Sequence, residues 1–177
     1  MPVDRLIIAI LILLLLVAAW QDIRSRRIPN VLVFSGAMGG VLLNSLLPQE
    51  MGGLGVLDSL AGLGIGLALL LPLYLLRAMG AGDVKLMAMT GAFLGVQGTI
   101  IALLYVLLVG GVLALAVTWY QGNLRRLLHS LKTMLFIGAA RGAIGSLPAP
   151  DAGLPGMPYG VAIAVGTAAY LAVTHWG

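Results

Sequence analysis

The 177-residue chain contains no cysteine and only two histidines. The first absence excludes disulfides, thiolate metal ligands and a cysteine nucleophile, and leaves the redox compartment undetermined. The second leaves His129 and His175, far apart in sequence, as the only imidazole donors. A histidine-built metal centre is therefore not expected, although carboxylates alone can bind a cation. Charge is scarce as well. Asp, Glu, Lys and Arg make up 9% of the residues, against roughly 25% in soluble proteins. Low-complexity tracts and convincing internal repeats are missing too.

What is present is apolar. Hydrophobic residues make up 60% of the chain, more than a soluble globule can hide, so the composition indicates an integral membrane protein. The 25 glycines suit close helix–helix contact in lipid. The net charge of +4 does not point to nucleic acid, because the charges cluster at the ends of apolar runs, which is a topology signal. The run 6–20 is near the length of a signal peptide, but its basic cluster follows instead of preceding it, and no small-residue cleavage site stands out. It reads as a retained span.

A helical span needs about 20 mostly apolar residues. The sequence predicts an all-α, polytopic protein forming one domain over 1–177. Its six transmembrane helices fall at about 3–20, 31–47, 54–76, 84–96, 99–120 and 159–176. Pro29 suits the start of the second, and Pro72 predicts a kink in the third. Gly62, Gly64 and Gly66 would let a neighbour approach that helix. The fourth span is short and is expected to start inside the protein, with a tight turn at Gln97-Gly98 after it. Between the fifth and sixth, residues 124–135 form an amphipathic pattern, from which Phe136 and Ile137 depart. Arg125, Arg126, His129 and Lys132 share one face, as in a basic helix lying on anionic lipid. Residues 138–158 read as a Gly/Pro-rich loop. Six spans put nine of the ten Lys and Arg on one side, with Arg5 opposite. By the positive-inside rule that side is cytoplasmic and both termini point outward.

Two acidic residues interrupt this plan. Asp83 lies in Gly80-Ala81-Gly82-Asp83-Val84-Lys85, a glycine-rich break between apolar runs, and Asp22 ends the first run. Each has a plain explanation: Asp83 as a helix N-cap, and Asp22 as a counter-ion to Arg24, Arg26 or Arg27. The alternative is that they meet at one membrane face. Asp83 at a helix N-terminus would then favour the ionised form and Asp22 at a helix C-terminus the protonated form. Two close carboxylates resist double ionisation and share a proton, which suits an aspartic protease with Asp83 as base and Asp22 as acid. Gly80 and Gly82 would admit an extended peptide, or serve as a cap and turn. Lys85 is either an interfacial snorkelling residue or a charge that keeps Asp83 ionised.

Gly80-x-Gly82-Asp83 within a membrane protein resembles the GxGD signature of intramembrane aspartyl proteases, and Val84-Lys85-Leu86 extends it in the manner of type IV prepilin peptidases. Asp22, followed by Arg24, Arg27 and Ile28-Pro29-Asn30, resembles that family's first-aspartate region. Pro158-Tyr159-Gly160-Val161-Ala162-Ile163 resembles its segment before the final span. The resemblance implies a multi-pass peptidase of a bacterial or archaeal cytoplasmic membrane, with Asp22 and Asp83 catalytic and facing the cytoplasm. It implies no cofactor and no metal. The substrate would be a prepilin-like precursor whose hydrophobic N-terminal helix lies in the bilayer and whose short basic leader is removed. The paired CxxC motifs that longer members associate with N-methylation are missing, so the chain resembles the short, peptidase-only type of Flp/tight-adherence pili, and methyltransferase activity is not expected. Two other readings stay open at this point: a small proton- or cation-coupled transporter or channel, and a non-catalytic pilus-assembly scaffold. A homo-oligomer is compatible with all three.

Overall fold

The computed structural model describes residues 2–48, 53–76, 79–120 and 159–176. All described secondary structure is helical: α1 (Pro2–Ser25), α2 (Asn30–Leu46), α3 (Val56–Leu75), α4 (Ala81–Tyr120) and α5 (Tyr159–Trp176). The expectation of an all-α polytopic protein is met, but its six transmembrane helices are not found. Among the described residues there are five helices. Only α1, α3 and α4 contain stretches long and apolar enough to cross a membrane. At 1.5 Å per residue, the 17 residues of α2 span about 26 Å, short of a hydrocarbon core of roughly 30 Å. The expected fourth and fifth spans fall within one element, α4, in which Gln97-Gly98 stays helical and the break lies at Gly95. With six crossings overturned, the placement of both termini outside loses its premise. The amphipathic helix expected over 124–135, the 138–158 loop and Arg77 lie outside the described residues.

The interruption in α4 falls at Gly95, with φ 68° and ψ −173°, and not at the glycine two residues beyond the expected span end. Such a backbone is essentially restricted to glycine. Breaking a helix in an apolar environment frees backbone groups that must find partners, and neighbouring side chains supply them. Asp58 Oδ1 accepts the Val96 N–H at 3.2 Å. Asn44 Nδ2 donates to the Ala92 carbonyl at 2.9 Å and to that of Phe93 at 3.3 Å. The Ser59 hydroxyl also donates to Ala92, and the Thr99 hydroxyl to Gly95. Asn44 is 1% exposed, and Ser59 and Thr99 are fully buried. The sequence reading missed this polar cluster, because Gln97-Gly98 looks like a turn while the residues that stabilise the real break come from α2 and α3.

The first arm of α4 is the centre of the molecule. Val84, Leu86, Met87, Ala88, Met89, Ala92 and Phe93 are buried, and α1, α2, α3 and α5 all pack on α4. Burial in this arm begins at Asp83 and Val84, after an exposed Ala81. α3 crosses α4 backbone to backbone: a Cβ on Gly62 would run into Gly91, and one on Gly66 into Met87. Gly64, expected to share that role, has nothing within 4 Å. Pro72 lies in the last turn of α3, which ends at Leu75, so it sits where the helix stops. On α1, Leu11, Leu15 and Ala18 face the core while Leu13, Leu16 and Trp20 are exposed, as expected for a helix with one lipid-facing side.

Gly95→Ala is expected to destabilise the fold by about 1–3 kcal/mol, since alanine cannot adopt this backbone without strain. Gly64→Ala should be close to neutral. Thermal unfolding of both variants in detergent, beside the unaltered protein, checks the pair.

Candidate active site

Asp22 and Asp83 are brought together at one end of the bundle. Asp22 lies in the last turn of α1, which ends at Ser25; beyond it Arg26 takes a left-handed φ of 51° and the chain turns into α2. The Arg26 N–H still donates to the Asp22 carbonyl at 2.8 Å, closing the final turn. Asp83 lies in the first turn of α4. The carboxyl-bearing residues are 7% and 8% exposed, and the Asp22 charge acts on Asp83.

Each carboxylate is met by a backbone donor. Gly80 precedes the first residue of α4, and its N–H donates to Asp83 Oδ2 at 3.1 Å, while the Asp83 N–H donates to the Gly80 carbonyl at 3.2 Å. Asp83 is thus not the cap residue itself. It sits three positions on and reaches back to the residue before the helix, the reciprocal arm of a capping box. Gly82 packs directly on Ile28, which a Cβ at 82 would approach to 3.3 Å, so the α1–α2 connection lies against the Asp83 turn.

Asp22 Oδ2 accepts the N–H of Gly160, in the first turn of α5, at 2.8 Å. This contact, rather than an arginine, holds the carboxylate. Arg24, Arg26 and Arg27 are exposed, and Arg26 contributes only a smaller electrostatic attraction. The helix-dipole contrast drawn from sequence is therefore incomplete, because Asp22 faces the N-terminus of α5 as well as ending α1. Tyr159 precedes Gly160 and lies within electrostatic reach of Asp83. Of the segment expected here, Tyr159 and Gly160 join the site, and Pro158 lies outside the described residues.

Lys85 points elsewhere. Its Nζ donates to Asn30 Oδ1 at 3.0 Å and sits 5.6 Å from the centre of the Phe34 ring, so it ties the start of α2 to α4. Pro29 is the residue preceding α2, with φ −64° and ψ 134°. Arg24, Arg27 and Asn30 are exposed around the rim. Among the described residues no group of three or more His, Cys, Asp or Glu is arranged to hold a metal.

The sequence reading did not single out Asp58, Asn44 or Ser59, which surround the α4 break and not the aspartate pair. An acidic residue just inside an apolar run was the available signal for Asp58.

Two carboxylates of this kind, buried together with one N–H donor each, can hold and pass a proton beside a polarised carbonyl. A model of the type IV leader peptidase family matches residues 9–115, more than half the chain and inclusive of both aspartates. No curated protein and no solved structure gives a match. The chain therefore belongs to the type IV leader peptidase family, and its activity is that of a protease that cleaves leader peptides.

Proposed function

We propose that this protein is an aspartic endopeptidase in which Asp22 and Asp83 activate water between them. The observation that carries this reading is the joint burial of two electrostatically coupled carboxylates, drawn from distant parts of the chain, at one end of a helical bundle. The pair holds one proton. The ionised member takes a proton from water, and the oxygen attacks the scissile carbonyl. The protonated member polarises that carbonyl and then donates its proton to the departing amine. The C–N bond breaks, a C–O bond forms, and the pair again holds one proton.

The substrate in this reading is a prepilin-like precursor with a short basic leader and a hydrophobic helix that lies in the bilayer beside the exposed apolar sides of α1 and α2. The exposed Arg24, Arg26 and Arg27 and the part-buried Lys85 surround the aspartate end. Their number at one end of the bundle supports a cytoplasmic orientation for the site. No cofactor takes part.

Asp22→Asn and Asp83→Asn, at matched membrane levels, should each lower the rate of prepilin-type precursor cleavage by at least about 10²-fold. Gel analysis of leader removal checks this. Normal cleavage by both variants would sink the aspartate mechanism, and cation flux in liposomes would then test the transporter alternative. Lys85→Met should slow cleavage by less than about tenfold, because the lysine serves a part-exposed tether and not the Asp83 carboxylate. A loss as large as that of Asp83→Asn would show that the lysine charge acts on the pair.

A further inference from the structure

The family match ends at residue 115, yet one of the groups touching the aspartate pair lies well beyond it. We propose that the first turn of α5 is a third component of the active site. In it the Gly160 N–H is a positioning group that fixes the Asp22 carboxylate and leaves Oδ1 as the oxygen through which Asp22 takes or gives its proton. This inference rests on Asp22 and Asp83 being the catalytic pair.

Three features of the chain converge on it. First, the N–H groups of a helix's opening turn have no intrahelical acceptor, so the Gly160 N–H is free to donate, and the positive end of α5 favours an anionic partner. The resulting bond to Asp22 Oδ2 is 2.8 Å long and links residues 138 positions apart. That length is in the range of charge-assisted hydrogen bonds.

Second, the approach requires glycine. A Cβ at position 160 would lie 2.8 Å from Asp22 Oδ2 and 3.1 Å from both Cβ and Cγ of Asp22. Any other residue would push the carboxyl group off the N–H. The neighbouring Tyr159 is within electrostatic reach of Asp83.

Third, α5 is a rigid support. Ala162, Ile163, Ala164, Thr167 and Leu171 are buried, and α5 packs on α1 and α4. Gly166 lies against the backbone of Val106, where a Cβ would meet Val106 N at 2.7 Å. The helix that carries the donor is thereby fixed to the helix that carries Asp83. The Asp22 carboxylate, on α1, meets α5 through the Gly160 N–H.

The test uses the full-length protein in detergent or nanodiscs, with a prepilin-type precursor as substrate. Gly160→Ala is compared with Asp22→Asn, with Gly166→Ala as a packing variant of the same helix, and with Gly64→Ala as a remote control. The expected result for Gly160→Ala is a fall in kcat of about 10²-fold, the cost of a misplacement on the order of 1 Å. Its KM should stay close to that of the unaltered protein, and its melting temperature should fall no further than that of Gly166→Ala. Gly166→Ala should lower the melting temperature, and Gly64→Ala should change neither property. Unchanged kcat in Gly160→Ala, with Asp22→Asn inactive, would overturn the inference while leaving the aspartate mechanism standing. Normal activity in both would remove the mechanism and the inference together. Parallel loss of melting temperature, kcat and KM, as for a packing defect, would also overturn it. A measurement on the unaltered backbone keeps the question decidable if Gly160→Ala does not fold. In ¹⁵N-glycine-labelled protein the Gly160 amide proton should resonate downfield and move upfield in Asp22→Asn. A resonance that does not move would refute the hydrogen bond.

Discussion

A carboxylate removed from water must be met by donors, or the charged form becomes too costly to keep. Here the donors are backbone amides at the starts of helical segments. Asp22 takes the Gly160 N–H at the start of α5, Asp83 the Gly80 N–H just before α4, and Asp58 the Val96 N–H where α4 resumes after its break. These N–H groups lack intrahelical acceptors and carry the positive end of the helix dipole. Asp22 and Asp58 thereby join one helix to another, while Asp83 reaches back to the start of its own helix.

The same interactions link the break to the site, although they lie at different ends of the first arm of α4. That arm begins at the Asp83 turn and ends at Gly95. Between these points it is clasped by α3 through backbone contact at Gly62 and Gly91, and the carbonyls freed near the break accept from Asn44 and Ser59. In lipid there is no water to satisfy a freed carbonyl, so each of these groups needs a protein partner. The arm is therefore fixed at both ends and along one side. A fixed arm gives Asp83 a defined position, and α5, packed on α4, gives the same definition to the donor that holds Asp22.

Much of the site was legible in the sequence because its signals are local. A glycine-flanked aspartate at the edge of an apolar run, and a second aspartate ahead of Arg24, Arg27 and Pro29, are unusual enough in so apolar a chain to be singled out. The role of Lys85 was not legible. Its partners, Asn30 and Phe34, are 55 and 51 positions away, and only packing of α2 on α4 makes that the nearer choice. The helix count failed for a related reason. Hydropathy marks apolar stretches, but it does not separate a span from a shorter buried helix, and a Gln-Gly pair does not reveal whether neighbouring side chains will stabilise a break there or two residues earlier.

The sequence by itself determined the class of molecule, the helical content, the two aspartates and the glycine-rich turn that carries one of them. Composition and short-range chemistry are enough for each. Tertiary structure alone decided which partners Asp22 and Asp58 have. Asp22 is bound by an amide 138 residues away, and Asp58 by one 38 away. Hydrogen-bond acceptors and donors of the backbone carry no sequence signature, since every residue but proline has both. Which of them meets a given carboxylate depends on how helices cross, and those crossings follow from long-range packing that no local pattern encodes.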